Sequence, residues 1–280
     1  MIASAALIAS VIPAGVVGVA VGSFLNVVIH RVPEKVSVVR PPSHCPGCSE
    51  PIAPRDNIPV LSWVVLRGRC RTCSMPISMR YPFVELLTGA AFVGIAVVMV
   101  PAIIDASSSR EVFAGLTRLG TLLWFAAATI ALSAIDLMTH RLPNAIVYPT
   151  IAVAIAGGLA EAALALDATM ALRVLAGSGI LFGGYLVLAL AWTGGMGLGD
   201  VKLAAALGAL LGAVGWGSLA VGAFAGFLLG GVASVILLIA RRVDRRSGIP
   251  FGPFMLAGAW VGVVIGESAF AWYLDAVGLA

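Results

Sequence analysis

The sequence predicts an all-α polytopic membrane protein of about eight transmembrane helices, with one small cytoplasmic zinc-binding loop domain. Three observations point that way. Of the 280 residues, 60% are hydrophobic and 11% charged, against roughly 25% charged in an ordinary soluble domain. Apolar runs of the length that carries a helix across a bilayer, about 20 residues at 1.5 Å each, recur along most of the chain. The one long polar stretch, residues 30–80, contains all four cysteines.

The apolar runs fall at roughly 4–29, 82–101, 118–137, 145–165, 174–192, 202–215, 218–240 and 252–273, the sixth being short. Residues 1–29 are free of charge and lack the basic segment that precedes a cleavable signal. They read as a retained first span with its N-terminus outside. The inside loops are then 30–81, 138–144, 193–202 and 241–251, and they hold fourteen of the seventeen Lys and Arg residues. Only Arg110, Arg118 and Arg173 fall on the other side. This bias is the one the positive-inside rule describes. The cluster Arg241-Arg242-Val243-Asp244-Arg245-Arg246 marks an inside loop by itself. Net charge of +4 therefore reports orientation rather than nucleic-acid binding. Three regions follow: a first transmembrane helix at 1–29, a four-cysteine cytoplasmic domain at 30–81, and a membrane domain of about seven helices at 82–280.

Glycines four apart, such as Gly208 and Gly212, or Gly222, Gly226 and Gly230, suit close helix packing in lipid. No internal duplication is read in the sequence.

The cysteines form two C-x2-C pairs, Cys45-Pro46-Gly47-Cys48 and Cys70-Arg71-Thr72-Cys73. Pairs at this spacing, in a reducing compartment, point to four thiolates around one zinc rather than to disulfides. Four protein ligands leave no position for water, so the role expected of the metal is structural.

The stretch Gly194-Gly195-Met196-Gly197-Leu198-Gly199-Asp200 places one carboxylate among glycines at the mouth of a span. Ionisable groups at such positions are costly and mark function. Asp136, in Ala134-Ile135-Asp136-Leu137-Met138-Thr139-His140-Arg141-Leu142-Pro143-Asn144, falls at the same inside depth. Two carboxylates sharing a site cannot both ionise easily, so one can act as base towards water while the other polarises a carbonyl. Intramembrane carboxylates also serve proton-coupled carriers. The residues alone leave a membrane aspartic protease and a carrier open. His30, His44 and His140 sit in or beside inside loops and read as solvated. Glu85 reads as an ion-pair partner of Arg80 or as an orienting group, and Glu267 lies towards the outside. Lys202 either holds an aspartate ionised, binds a substrate carbonyl, or reaches lipid headgroups.

The chain resembles the bacterial type IV prepilin peptidases, the prepilin leader peptidase/N-methyltransferase family. The resemblance is carried by Gly22-Ser23-Phe24-Leu25-Asn26-Val27-Val28-Ile29-His30-Arg31-Val32-Pro33, by the paired C-x2-C motifs, and by Arg80-Tyr81-Pro82-Phe83-Val84-Glu85-Leu86-Leu87-Thr88-Gly89. The Asp136-to-Asn144 segment, Gly197-Leu198-Gly199-Asp200 and Pro250-Phe251-Gly252-Pro253-Phe254 complete it. It implies that Asp136 and Asp200 are the catalytic pair of a membrane aspartic endopeptidase. It also implies cleavage of type IV prepilin or pilin-like leaders at the cytoplasmic face of the inner membrane. Methylation of the new N-terminus with S-adenosylmethionine follows by the same resemblance. No fingerprint for that cofactor stands out, and Gly22, Asn26 and Glu85 are its candidates only because they flank the loop. The four-cysteine loop and the Arg80-to-Gly89 segment separate the chain from other G-x-G-D proteases, of the presenilin kind.

Overall fold

A computed structural model describes residues 2–191, 196–240 and 249–279, with side chains from residue 10 onward. Gly194, Gly195 and the Arg241-to-Arg246 cluster lie outside the described residues. The described chain is helical and carries no strand, only two isolated bridges, His44 with Pro51 and Arg69 with Pro76. It divides into two compact units, residues 1–105 and 106–280.

In the first unit, α1 (Ile2–Arg31) and α3 (Arg80–Ile104) run antiparallel. A Cβ at Gly18 would stand 2.8 Å from the Gly89 Cα, and one at Gly22 would stand 2.6 Å from the Glu85 Cα. The backbones approach this closely only because these positions lack side chains. The Asn26 amide donates to the Tyr81 carbonyl at 3.1 Å and fixes the register at the polar end of the pair. Between the two helices the chain forms a 3-10 turn at Pro54–Asp56, the short α2 (Leu61–Val65), and the two cysteine turns.

The second unit contains α4 (Ser109–Thr139), α5 (Asn144–Ala165), α6 (Ala168–Ala191), α7 (Leu198–Val214), α8 (Trp216–Ile239) and α9 (Gly252–Ala276). Among the described residues, eight long helices thus stand where eight apolar runs are read. α4 starts well before its apolar run because polar residues cap it. Ser108 Oγ accepts the Glu111 N–H, and Glu111 Oε2 accepts the Ser107 N–H at 2.8 Å. Among the described residues, seven helices, all the long ones except α7, are long and apolar enough to cross a membrane. α7 has 17 residues, a rise of about 25 Å. It packs on α5, α6, α8 and α9, and Leu203 to Gly212 are buried throughout. Gly208 and Gly212 lie against the α6 backbone at Gly177 and Arg173, where a Cβ would collide. Gly222 and Gly226 receive α9 at Gly258 in the same way.

Glu267, set aside by the sequence reading, caps a helix. Its Oε1 accepts the Ser218 N–H at 2.8 Å. Gly215 and Gly217, which flank the start of α8, leave room for the carboxylate. An anion at a helix N-terminus is stabilised by the unpaired N–H groups and the dipole.

Candidate active site

Asp136 lies in the last turn of α4, whose own dipole disfavours a carboxylate there. Compensation comes from α9. The Gly252 N–H, at the start of α9, donates to Asp136 Oδ2 at 3.1 Å, and Asp136 is only 4% exposed. The carboxylate therefore sits on the positive end of a neighbouring helix. Two indoles hold α4 in place. Trp260 donates to Thr129 Oγ1 at 3.1 Å and stacks on Phe125, and Trp124 donates to Thr150 Oγ1 at 3.3 Å.

Asp200 stands in the first turn of α7, within the helix rather than in the loop before it, and is half-buried. Its Oδ2 accepts the Gly197 N–H at 3.1 Å. This carboxylate too rests at the N-terminal end of a helix, its own. The glycines around it act by contact. A Cβ at Gly199 would stand 3.0 Å from Leu142 Cβ, and one at Gly252 would stand 2.8 Å from Asp136 Oδ2 and 3.1 Å from Leu142 Cδ2. Leu142, in the turn after α4, is thus touched from both sides. The starts of α7, which carries Asp200, and of α9, which holds Asp136, close on it.

Other groups complete the surroundings. Tyr185 of α6 is buried and packs in a ring cluster with Phe227 and Phe251. The ring centroids are 5.3 Å apart for Tyr185–Phe227 and 5.4 Å for Phe227–Phe251. The sequence reading missed Tyr185, since a single tyrosine in an apolar run has no pattern. Lys202 Nζ donates to Asn144 Oδ1 at 3.1 Å and lies 5.3 Å from the centre of the Tyr148 ring, so it ties α7 to the start of α5. His140 takes the left-handed conformation that ends α4, at φ 53°, and is exposed. His30 faces Glu34 on the surface, and His44 is exposed with Nδ1 beside the Pro42 carbonyl.

Outside this site, Glu85 is buried, and its Oε2 accepts the Val60 N–H at 2.6 Å.

The four cysteines converge in the first unit, with all Sγ atoms within 4.8 Å of one another. Two matching turns build the cluster. Cys45 N–H donates to the Glu50 carbonyl and Cys70 N–H to Met75, at 2.9 and 2.8 Å. Ser49 N–H returns to Cys45 and Ser74 N–H to Cys70, at 2.8 and 3.0 Å, and both serines have φ of 59°. The sequence carries this duplication after all. Cys45 to Ile52 and Cys70 to Ile77 both read C-x2-C-S-x-P-I.

The donor set suits a tetrahedral metal. With metal–sulfur bonds of about 2.3 Å, a tetrahedron has edges of about 3.8 Å, and Cys45 Sγ lies 3.7 Å from Cys73 Sγ. Backbone N–H groups of Cys48 and Gly47 hold the Cys45 thiol down to about 6. The Glu50 N–H favours the Cys48 thiolate, but burial and the three other sulfurs outweigh it and push that thiol up to about 12. Four sulfurs this close ionise together only around a cation. Arg71, inside the second turn, clamps Asp56 through Nε to Oδ2 at 2.8 Å and a terminal nitrogen to Oδ1 at 2.6 Å. The clamp joins the cysteine turn to the 3-10 turn.

Residues 16–99 match the Bacterial Peptidase A24 N-terminal domain, and residues 123–239 match the Type IV leader peptidase family. Curated relatives align along most of the chain. The prepilin leader peptidase/N-methyltransferase of Aeromonas hydrophila is 36% identical over 292 positions, covering 91% of this chain and 90% of its own length. The protein of the same name from Klebsiella pneumoniae is 41% identical over 202 positions, covering 70% and 82%. That from Dickeya chrysanthemi is 31% identical over 279 positions, covering 89% and 90%. No solved structure matches the chain.

Proposed function

We propose that this chain, which belongs to the type IV leader peptidase family, removes the leader of type IV prepilins or pilin-like precursors with Asp136 and Asp200 as its catalytic pair. Membership makes it a multi-pass inner-membrane enzyme that joins leader peptidase and N-methyltransferase activities. The carrier reading has no support among these relatives.

One observation carries the residue assignment. The two carboxylates occupy one unit of the fold, each on an N–H at the start of a helix, and Leu142 is touched from both of those helix starts. Such a pair holds one proton between its members. The ionised carboxylate takes a proton from water as the water oxygen attacks the scissile carbonyl carbon. The protonated carboxylate donates to the carbonyl oxygen. The tetrahedral species then collapses: the C–N bond breaks, the proton taken from water passes to the leaving amine, and a hydroxyl proton returns to the carboxylate that had donated one. No nucleophilic side chain enters. Asp136→Asn and Asp200→Asn each abolish leader removal in this account, with the protein still inserted. A variant that cuts a precursor at near-parental rate would refute the pairing.

The charge bias of the loops supports an N-terminus outside, with residues 30–81 as the cytoplasmic four-cysteine domain and the catalytic pair in 82–280, at the cytoplasmic face. Cys45, Cys48, Cys70 and Cys73 would hold one structural zinc as four thiolates, which stabilises a domain with little apolar core. S-adenosylmethionine would supply the methyl group for the new N-terminal amine. No residue of this chain is assigned to it.

A further inference from the structure

We propose that α2 anchors the four-cysteine domain to the bilayer: Leu61, Val64 and Val65 enter the boundary between headgroups and acyl chains, and Arg67 and Arg69 meet anionic headgroups. The proposal rests on α3 as a membrane span and is independent of the aspartate pair.

α2 turns apolar side chains outward. Leu61 is 54% exposed, Val64 58% and Val65 65%, three apolar side chains on one short helix, in a domain that also exposes Val39, Ile52 and Ile58 singly. Its position along α3 is fixed. Val60, which precedes α2, donates its N–H to Glu85 Oε2. Glu85 is the sixth residue of α3, so α2 begins beside the first two turns of that helix. The Trp63 indole also donates to the Ile77 carbonyl at 3.1 Å, which lays α2 along the segment leading into α3. At this depth α3 itself presents Phe83, Leu86 and Leu87 outward, and all three are exposed.

The fold holds this arrangement against local preference. Val60 has φ 61° and ψ −52°, in a three-residue turn closed by the Leu61 N–H on the Pro59 carbonyl at 2.6 Å. A β-branched residue is disfavoured there. Glu85, a buried carboxylate at the edge of a span, thereby acquires a role, since its hydrogen bond pins the turn that aims α2. Charge agrees with the placement. Arg67 and Arg69 follow α2 and are exposed, as basic side chains that reach anionic headgroups from an inserted apolar segment are.

The test uses the full chain with a benzophenone amino acid in place of Val65 or, as a control on the cysteine turn, Thr72. The protein is reconstituted in phosphatidylethanolamine vesicles containing phosphatidylglycerol and irradiated, and adducts are identified by mass spectrometry. Metal content equal to the parent's certifies the fold. Lipid adducts at position 65 should exceed those at 72 by about tenfold. Arg67→Glu with Arg69→Glu should at least halve the yield at 65. Adducts at 65 to another segment of the chain or to added precursor peptide would overturn the proposal. So would an absence of lipid adducts, or a yield that the arginine changes leave unaltered.

Discussion

Replacing Gly252 with alanine tests the geometry at Asp136 without touching a carboxylate. The Gly252 N–H is 3.1 Å from Asp136 Oδ2, and a Cβ at that position would stand 2.8 Å from the same oxygen. On its other side the methyl meets Leu142 Cδ2 at 3.1 Å. Asp136 is 4% exposed, so little solvent is at hand to replace that contact. The carboxylate must leave its N–H, and a hydrogen bond to a charged group contributes about 1.5–3 kcal/mol. At about 1.4 kcal/mol per tenfold in rate, kcat for leader removal falls by about 10- to 150-fold. The assay is the initial rate of precursor cleavage by purified Gly252→Ala across a range of precursor concentrations. KM should move by less than about twofold, because the lost interaction belongs to the reacting geometry rather than to peptide binding. A kcat within about twofold of the parent would refute the reasoning, since the contact would then have no part in holding the catalytic oxygen.

Three further outcomes follow from the same structure. Cys73→Ser should reduce bound zinc from about one ion per chain towards none and expose residues 32–79 to proteolysis, read by elemental analysis and limited digestion. Asp56→Asn should remove a pH-dependent part of stability. Hydrogen bonds from Arg71 hold the Asp56 carboxyl below the usual carboxylate range, so the parent's advantage is fully present well above the unfolded value of about 3.9 and is lost as pH falls through the lower folded value. Thermal melts of the two proteins from neutral to acid pH should therefore converge below about pH 4. Gly208→Val places side-chain atoms against the Gly177 carbonyl and 2.9 Å from the Ser178 Cα, and overpacking of this kind should lower Tm by at least about 4 °C in a thermal melt.

Much of this architecture is local information, which is why it is legible in the chain. An apolar run of span length makes a helix wherever it occurs, and the run boundaries for α5, α8 and α9 lie within a few residues of the helices observed. α4 departs furthest, and α6 and α7 also begin before their runs. The first turn of α4 is polar and capped, so a hydropathy ruler starts it late, although Ser108 and Glu111 carry the capping signal. The spacing of the cysteines foretells their meeting, because two short turns bring four sulfurs together without help from distant sequence. The duplicated C-S-x-P-I that shapes both turns was there to be read and passes unnoticed if only cysteines are compared.

The surroundings of Asp136 and Asp200 are a different matter. The partner of Asp136 is a backbone N–H at Gly252, 116 residues away, and a backbone donor has no residue type to search for. Lys202 illustrates the same limit. Sequence proximity to Asp200 suggests a role on the carboxylate, whereas the fold directs its ammonium to Asn144 and Tyr148. Glu85 and Glu267 each accept a backbone N–H, at Val60 and Ser218, and these donors likewise have no residue type to search for.

The most direct test of the central claim is the intact mass of a pilin-like precursor after incubation with the parent enzyme, Asp136→Asn or Asp200→Asn, each with and without S-adenosylmethionine. The account predicts loss of the leader mass with the parent alone, and a further gain of about 14 Da per methyl transferred when the methyl donor is present. It predicts an unchanged precursor mass with either variant. Loss of the leader in the presence of Asp136→Asn or Asp200→Asn would contradict it.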